Sequence, residues 1–481
     1  MNSMQLLEEA QFHGAKWLAS SKYRFYWALA LIVFLCCSAS ILMIAVNRYF
    51  QNPTYVAHYE ITQTMKPFPT VILCPEVEFP QFKVDEFLEE LQYPSDVNAS
   101  YVARVLPQLG AFFSADVRFV TKDLEMIQYV LDYNNLSIET AGKQLTLNCR
   151  DTFIRCRWLN KDINCSSEFR FELTSYGFCC VFNGFSLKRE LKDYGVPKFE
   201  SHRKLLVNSI GFTHSLMMAV NQSLRPLSTL DLSYKWLVLQ TAQYVDIIYN
   251  GTAISPSVET WAGYTTTTLH VTDDAESLGD ELRRCRMVHE RLQFFPIYHK
   301  RYCLLECEME RVRQLCNCVQ VVHPHLHVYG TTPICSAKHI TCVRQTSGVS
   351  FSHAYSQCRC PPSCDSEIET MMVSSYDLVR DSQELDDFYS DLDFDNISII
   401  RVFVLKHNRN VISRHSYFPF HQLFSQLGGV FGVFFGCSVL SLLEVLQLAW
   451  FATRDIYRQR QATKKHVKFT KGIKNLLEFK K

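Results

Sequence analysis

The chain has 481 residues, of which 49 are basic and 48 are acidic, and its formal net charge is +1. This balance argues against nucleic acid as a partner, because nucleic-acid-binding proteins present a strongly basic surface. An aromatic content of 13% is typical of a chain that buries a core, and nothing in the composition indicates disorder or collagen-like repeats.

The first apolar segment, residues 25–46, contains 22 residues and no charge. As a helix it would extend about 33 Å, which is close to the thickness of the hydrocarbon core of a bilayer. A cleaved signal peptide is the alternative, but its apolar region has only about 7–15 residues and ends at small residues. This run is longer and ends in Asn47-Arg48-Tyr49. The sequence therefore predicts a retained transmembrane helix over residues 25–47.

The part of the chain that follows the first apolar segment contains both strand and helix patterns. Strand patterns rich in β-branched and aromatic residues are spread over it, at 68–73, 169–183, 265–271 and 397–405. Helical patterns are concentrated in two stretches, at about 79–133 and about 277–318. This arrangement predicts an α+β domain around a central sheet, with its helices in two insertions.

Cysteine placement indicates an oxidising compartment. Sixteen of the nineteen cysteines fall between Cys74 and Cys364, and ten of these crowd into the segment from Cys285 to Cys364. An even number of cysteines is typical of extracellular domains and predicts disulfides. Six N-glycosylation sequons fall between residues 48 and 425, at Asn98, Asn135, Asn164, Asn221, Asn250 and Asn396.

A zinc site is the alternative for part of the cysteine-rich segment. His323, His325 and His327 closely follow Cys316-Asn317-Cys318, and Cys with His at short spacing can bind zinc. Thiols oxidise outside the cell, however, and the even count leaves no thiol obviously spare. We therefore expect disulfides here and no metal.

An acidic stretch runs from Asp386 to Asp395 and includes Asp391, Asp393 and Asp395 in D-x-D-x-D spacing. A calcium-binding loop would place Gly at its sixth position and Glu at its twelfth, where this chain has Asn396 and Val402. A solvated acidic turn is therefore favoured over a cation or proton sensor.

The second apolar segment, at about 427–451, is rich in small residues and contains one carboxylate. Each glycine would cost a soluble helix about 1 kcal/mol relative to alanine. In a membrane, small residues let helices approach closely, and an ionisable residue marks a functional site. The segment therefore predicts a second membrane span, whose small and acidic residues are Gly428, Gly429, Gly432, Gly436, Ser438, Ser441 and Glu444.

Charge predicts the orientation of both spans. Lys16, Lys22 and Arg24 precede the first span, and the tail after the second carries ten Lys or Arg against Asp455 and Glu478. Positive flanks stay in the cytosol, so both termini are expected inside and the large domain outside. The predicted segments are a cytosolic N-terminus (1–24), a first span (25–47), an extracellular domain (48–425) with a cysteine-rich part (about 277–365), a second span (426–452) and a basic cytosolic C-terminus (453–481).

These features together resemble the epithelial sodium channel/degenerin family, and most of all its insect pickpocket branch. The resemblance covers nearly the whole chain, and the cysteine spacing with the second span is its most specific part. The matching motifs are His13-Gly14, Phe68-Pro69-Thr70-Val71 before Cys74, Gly177-Phe178-Cys179 with Phe182-Asn183, Cys303-Leu304-Leu305-Glu306-Cys307, Cys316-Asn317-Cys318, His323-Pro324, Cys358-Arg359-Cys360-Pro361-Pro362-Ser363-Cys364, and the small residues of the second span.

The resemblance implies a trimeric plasma-membrane channel with a fist-like outer domain, in which a β-sheet palm carries a helical finger and thumb. It implies a voltage-independent, sodium-preferring, amiloride-sensitive cation conductance, gated through the outer domain in sensory or epithelial cells. Its partners would be sodium ions, membrane lipids and related subunits in a homo- or heterotrimer. It implies no cofactor.

The resemblance also assigns roles to residues. It implies a selectivity filter at Gly436, Cys437 and Ser438, gating roles for His13, Gly14 and Ser425, and a cation-attracting ring of Glu444 at the cytosolic pore mouth. The disulfide pairs that it implies are Cys74–Cys179, Cys156–Cys165, Cys285–Cys364, Cys303–Cys360, Cys307–Cys358, Cys316–Cys342 and Cys318–Cys335. Cys149 and Cys180 are additional to the common set and are candidates to pair with each other.

Ser425 has two interpretations. It lies eleven residues before Gly436, which matches the family's degenerin position, where a small side chain lets three helices meet. The alternative is a serine that caps the N-terminus of the second span.

Three other functions compete with a conducting subunit. A two-span scavenger-type receptor would conduct nothing, but it would need neither a glycine-rich second span nor Glu444. The ATP-gated trimers share the topology but have fewer cysteines in another pattern. A non-conducting modulatory subunit of the same channel is the third. No catalytic constellation stands out, so we do not expect an enzyme.

Overall fold

The computed structural model describes most of the chain. The described residues are 22–51, 54–74, 79–114, 117–174, 177–184, 205–222, 236–241, 251–290, 292–293, 295, 297–322, 332–348, 358–379, 386–417, 420–436, 443, 446–447, 450 and 453–454.

The described elements are spread-out strands with runs of helices between them, which fits the predicted α+β arrangement. The helices are α1 (Arg24–Gln51), α2 (Gln81–Glu90), α3 (Ala99–Val105), α4 (Thr121–Tyr133), α5 (Ile138–Leu145), α6 (Cys149–Thr152), α7 (Cys165–Glu168), α8 (Asp273–Glu276), α9 (Asp280–Arg283), α10 (Lys300–Cys316), α11 (Ile340–Gly348) and α12 (Phe420–Phe435). Short 3₁₀ helices lie at Leu106–Phe112, Phe212–His214 and Ala337–His339. The strands are β1 (Thr54–Thr62), β2 (Lys66–Pro67), β3 (Thr70–Cys74), β4 (Phe153–Trp158), β5 (Lys161–Ile163), β6 (Phe169–Thr174), β7 (Gly177–Phe182), β8 (Leu206–Val207), β9 (Leu216–Asn221), β10 (Trp236–Thr241), β11 (Gly251–Ile254), β12 (Val258–Val271), β13 (Ser366–Asp377), β14 (Ile397–Val404) and β15 (Asn408–Ser416).

The chain divides into two compact units. One comprises residues 1–55, 272–283 and 415–481, and the other comprises residues 56–271 and 284–414.

The first unit contains α1 and α12. Within the described residues, α1 is the one helix that is long and apolar enough to cross a membrane, judged by length and composition alone. It packs against α12, where the rings of Phe34 and Phe434 lie 6.0 Å apart. Ser38 and Ala45 are the buried residues of α1. The predicted first span is thus helical, and the helix extends to Gln51, four residues beyond the predicted end.

The second unit is built on an eight-stranded sheet. Its order is β1-β15-β12-β14-β9-β4-β5, and β13 pairs with the other edge of β12. The 14-residue strand β12 runs parallel to both β14 and β15 and antiparallel to β13. Its run of four threonines, Thr265 to Thr268, suits an extended backbone, because β-branched side chains pack well on a pleated surface.

A second sheet, ordered β11-β10-β3-β7-β6, provides the other layer of the core. One apolar cluster draws residues from both sheets, among them Phe68, Leu73, Phe182, Met218 and Tyr264. The predicted central sheet is therefore one of two sheets that share a core. Residues 169–183, predicted as a single strand, form the hairpin β6–β7, and Gly177 at its turn has a φ of +88° that few other residues adopt.

Two helical segments extend from the sheets. The finger segment (79–145) holds α2 to α5 and packs them into one apolar cluster that includes Phe87, Leu106, Leu124 and Leu145. The thumb segment (285–364) holds α10 and α11 and has two smaller clusters, one around Tyr302 and Leu305 and one around Val312 and Val343.

Candidate functional site

The predicted filter begins where a helix breaks. Helix α12 ends at Phe435, and Gly436 takes a φ of +62° while its N–H still donates to the carbonyl oxygen of Gly432 at 2.9 Å. A positive φ suits glycine and interrupts a right-handed helix. The other predicted pore and gating residues, Cys437, Ser438, Glu444, His13 and Gly14, lie outside the described residues.

Ser425 lies inside α12, which begins at Phe420, and its side chain is exposed. The interpretation of Ser425 as a helix N-cap is therefore wrong, because an N-cap residue precedes the first turn. Helix α12 also starts before position 426, where the second span is predicted to begin, so residues 420–425 belong to the helix. Gly428 and Gly429 follow one turn later, and a methyl group built on either meets no atom within 4 Å.

Cationic and aromatic side chains near the C-terminal end of α1 contact residues that lie just before α12. The Arg48 guanidinium lies 5.0 Å from the ring centroid of Tyr417. Tyr55 stacks on His415, with centroids 5.2 Å apart and an interplanar angle of 16°, and meets Tyr417 edge-on at 5.6 Å. These four residues connect the segment that follows α1 with the segment that precedes α12. The sequence alone gives no signal for these contacts, because the paired residues are separated by more than 350 positions.

A polar network crosses β12 and β14 in the large sheet. Arg401 Nε lies 3.0 Å from Glu259 Oε1, which also accepts the indole N–H of Trp261 at 2.8 Å. Tyr389 donates its hydroxyl to Glu259 Oε2 at 2.9 Å and accepts from Arg401 Nη2 at 2.7 Å. Burial raises the pKa of Tyr389 to about 12, and the neighbouring Glu259 carboxylate acts in the same direction. Tyr389 therefore stays protonated and can keep donating to Glu259.

The acidic stretch is anchored to this sheet. Asp386 Oδ1 accepts a hydrogen bond from Arg157 Nη1 at 2.6 Å. Arg155 Nη1 donates to the carbonyl oxygens of Phe388 at 2.8 Å and Asp387 at 2.9 Å. Burial opposes the charge on Asp386, but the Phe388 N–H and the Arg157 guanidinium outweigh it and hold the pKa of Asp386 below its usual value.

The expectation of a solvated turn is only partly right. The aspartates Asp387, Asp391, Asp393 and Asp395 are exposed, but the apolar residues between them are buried. Among the described residues, no group of three His, Cys, Asp or Glu side chains is arranged to hold a metal ion. The buried residues of the turn are Phe388, Tyr389, Leu392 and Phe394.

Eight disulfides occur among the described residues, and they include all seven implied pairs. Cys149 is also joined to Cys180, which ties the start of α6 to β7. Cys316 and Cys318 therefore have no free thiol for zinc, while His323, His325 and His327 lie outside the described residues. The seven pairs are Cys74–Cys179, Cys156–Cys165, Cys285–Cys364, Cys303–Cys360, Cys307–Cys358, Cys316–Cys342 and Cys318–Cys335.

The sequon asparagines differ in their surroundings. Asn98, Asn135, Asn164 and Asn396 are exposed, whereas Asn221 is half-buried in β9 and Asn250 lies outside the described residues. The amide nitrogen of Asn396 donates to Asp393 at 2.7 Å.

A long apolar helix, a second apolar helix that ends at Gly436 and a disulfide-rich domain fit a membrane channel subunit. Comparison with known proteins gives the same class. A family model described as amiloride-sensitive sodium channel matches residues 6–448. The chain therefore belongs to the amiloride-sensitive sodium channel family, which consists of plasma-membrane cation channels and not of enzymes.

Individual relatives point to an insect pickpocket-like subunit. The sodium channel protein Nach of Drosophila ananassae is 25% identical over 429 residues, which is 88% of this chain and 80% of the relative. Pickpocket protein 28 of Drosophila melanogaster is 20% identical over 488 residues, or 91% and 76% of the two chains. Acid-sensing ion channel 4-B of Danio rerio is 24% identical over 471 residues, or 94% and 75%.

Proposed function

We propose that this chain forms, with two further copies or related subunits, a voltage-independent, sodium-preferring, amiloride-sensitive channel that is gated through its extracellular domain. Both termini lie in the cytosol, and residues 426–452 line the pore, with the filter at Gly436, Cys437 and Ser438. The observation that carries the proposal is the break of α12 at Gly436. An irregular backbone at membrane depth is tolerated where it is buried in protein or lines a water-filled cavity.

The surface of α12 supports assembly around an axis. Gly428 and Gly429 have open space beside them, so the packing of this chain does not require their small size. Helices in membranes approach each other closely where their residues are small. We infer that these glycines and the exposed Ser425 face the same helix of neighbouring subunits. A ring of three Glu444 side chains would then attract cations to the cytosolic mouth, as rings of carboxylates do in cation channels.

Recording currents from cells that express the chain alone and with related subunits tests this function. We expect a current that reverses near the sodium potential, does not depend on voltage and is blocked by amiloride. A second outcome is a current that appears only when the chain is co-expressed with related subunits. If Ser438→Ala then changes the ion selectivity of that current, the filter still belongs to this chain. Surface expression with no current, and no effect on partner currents, would favour the scavenger-type receptor. Altered partner currents without any effect of filter variants would favour a modulatory subunit.

Ser425 provides a sharper test of the pore. If three copies crowd around the axis, a larger side chain wedges the closed state apart. Overpacking costs about 1–3 kcal/mol per site, and about 2.7 kcal/mol shifts a 99:1 closed preference to even populations. We therefore expect constitutive amiloride-blockable current from both Ser425→Val and Ser425→Asn. Normal surface expression without added resting current in either variant would contradict a gate at Ser425.

A further inference from the structure

An open groove lies at the β5 edge of the large sheet, beside β4, β5 and α7. It has a volume of about 580 Å³, within the range of small-molecule sites. The buried disulfide Cys156–Cys165 lies in its wall, and Ile154 and Ile163 add apolar surface. Ile154 is 47% exposed, so its side chain is accessible to a ligand in the groove.

The groove also offers a free cation. Arg150 lines it, and its side chain has no hydrogen-bond or ion-pair partner among the described residues. The neighbouring Arg155 differs, because its Nη1 donates to backbone carbonyls of the acidic turn. Asp162, at the same groove, accepts from Arg157 Nε at 2.8 Å and keeps lone pairs for a further donor. This lining suits an amphipathic ligand that is rich in hydroxyl groups. The hydroxyl groups can bind the guanidinium of Arg150 and the carboxylate of Asp162, and an apolar face can cover the two isoleucines.

Asn164, the asparagine of an N-glycosylation sequon, lines the groove. The side-chain oxygen of Asn164 accepts from the backbone N–H of Ser166 at 3.1 Å and from its hydroxyl at 2.8 Å. The amide nitrogen Nδ2, the atom that would carry a sugar, has no partner in the described part of the chain. Asn396 differs, because its Nδ2 is bonded to Asp393. Both Asn164 and Ser166 line the groove.

We propose that the groove holds the first sugar residues of an N-linked glycan on Asn164. In that modification, the sugar C1 bonds to Nδ2 as its bond to a lipid-pyrophosphate donor breaks and the amide nitrogen loses one proton. The sugar hydroxyls bind Arg150 and Asp162, and the apolar face of the ring covers Ile154 and Ile163. The inference rests on the extracellular position of the domain and not on ion conduction.

The experiment compares two sites on one folded protein. The full chain is purified from animal cells, and release of its glycans by an amidase specific for N-linked sugars is followed by mass spectrometry of the glycopeptides. We expect release from Asn164 to be about tenfold slower than from Asn98, which corresponds to about 1.4 kcal/mol of protection. The two rates should become equal after denaturation and reduction. Asn98 is the matched control, because it is an exposed asparagine whose oxygen likewise accepts a backbone N–H two residues on.

Variants separate the groove from other causes of slow release. Arg150→Ala with Ile154→Ser keeps the sequon and should bring the native release rate at Asn164 to that at Asn98. The single variant Arg104→Ala, at an exposed arginine of the finger segment, should leave both rates unchanged. An unglycosylated Asn164, native release as fast as at Asn98, or slow release that survives the double variant would each overturn the proposal. None of these readouts requires a current, so the result is independent of channel function.

Discussion

The finger and thumb segments reach similar helical structures by different means. The finger segment contains no cysteine, and its helices enclose one continuous apolar cluster. The thumb segment has two small clusters, contains five disulfides, and uses the half-cystines Cys316, Cys318 and Cys335 as core residues. A segment that buries little apolar surface gains stability from cross-links that restrict its unfolded state. We therefore expect the thumb segment to be sensitive to loss of a disulfide and the finger segment to be sensitive to a cavity in its apolar core.

The two segments also meet. Arg344 of α11 in the thumb segment directs its Nη2 to the carbonyl oxygens of Ala111, Ser114 and Val117 in the finger segment, and its guanidinium lies 5.6 Å from the Phe119 ring. Val321, Val322, Ala337 and Ile340 of the thumb segment belong to the apolar cluster of the finger. The finger cluster therefore supports one end of the thumb.

Loss of the outermost thumb disulfide should strongly destabilise the thumb segment. Cys285→Ser with Cys364→Ser removes a bond that spans 79 positions, while the nested Cys303–Cys360 bond remains. We expect a loss of about 3 kcal/mol from the thumb segment. Hydrogen exchange followed by mass spectrometry should show faster exchange in α10, with α4 of the finger unchanged. Equal acceleration in both segments would mean that they unfold as one unit.

A cavity in the finger cluster should produce the reverse pattern. Leu124 is 1% exposed, and Leu124→Ala should destabilise the finger segment by about 3 kcal/mol, because the space is not refilled. Faster exchange is expected in α2 to α5 and, through the shared cluster, in α11, but not in α10. Tyr129→Ala on the same helix is the control, since Tyr129 is 46% exposed. Unchanged exchange in Leu124→Ala would show that the finger does not depend on its core.

The contact between the finger and thumb segments depends on Arg344 and can be removed by a single substitution. Arg344→Ala leaves three carbonyl oxygens of the finger without their donor, which should cost about 2 kcal/mol. Arg344→Lys should recover only part of this, because an ammonium cannot reproduce the planar fork of a guanidinium. Hydrogen exchange should rise together in α11 and at residues 111–114 and 117–119, which surround the carbonyl oxygens that Arg344 contacts. Lys338→Ala, at an exposed lysine nearby in the sequence, should change neither.

Acid should weaken the thumb before the finger. His299 precedes α10, and its Nδ1 accepts the backbone N–H of Arg301 at 3.3 Å, which requires an unprotonated nitrogen. Burial, with the charge of Arg301, lowers the pKa of His299 to about 4. The unfolded chain binds this proton below about pH 6.5 and the folded chain does not, so stability falls as the pH drops from about 6.5 to 4.

The loss should be on the order of 1 kcal/mol, since the ring keeps part of its hydration. Exchange in α10 measured at pH 7 and pH 5 should reveal it. His299→Asn retains a capping acceptor without titrating and should abolish the pH dependence. In the finger, the hydroxyl of Tyr101 and the amide of Gln108 hold the pKa of Asp123 below its usual value, so that segment should keep its stability to lower pH. A pH-independent wild-type α10 would contradict this assignment.

The sequence by itself determined the features that depend on local composition. The absence of charge over 22 of residues 24–51 predicted a long apolar helix, and the cysteine spacing carried the resemblance to the family, which in turn implied the disulfide pairs. Strand positions at 70–74 and 397–404 followed from β-branched runs, within two residues of the prediction.

Only the tertiary structure decided which distant side chains meet. Arg401 and Glu259 are 142 positions apart, and nothing in either neighbourhood specifies the other. The anchored acidic turn, the Arg344 junction and the groove at Asn164 arise because the order of the strands brings these segments together. Periodicity reports which face of an element is buried, but a contact between elements depends on how the whole chain packs. For the same reason the start of α12 before Ser425, which excludes a capping role for that serine, could not be read from residues 424–426 alone.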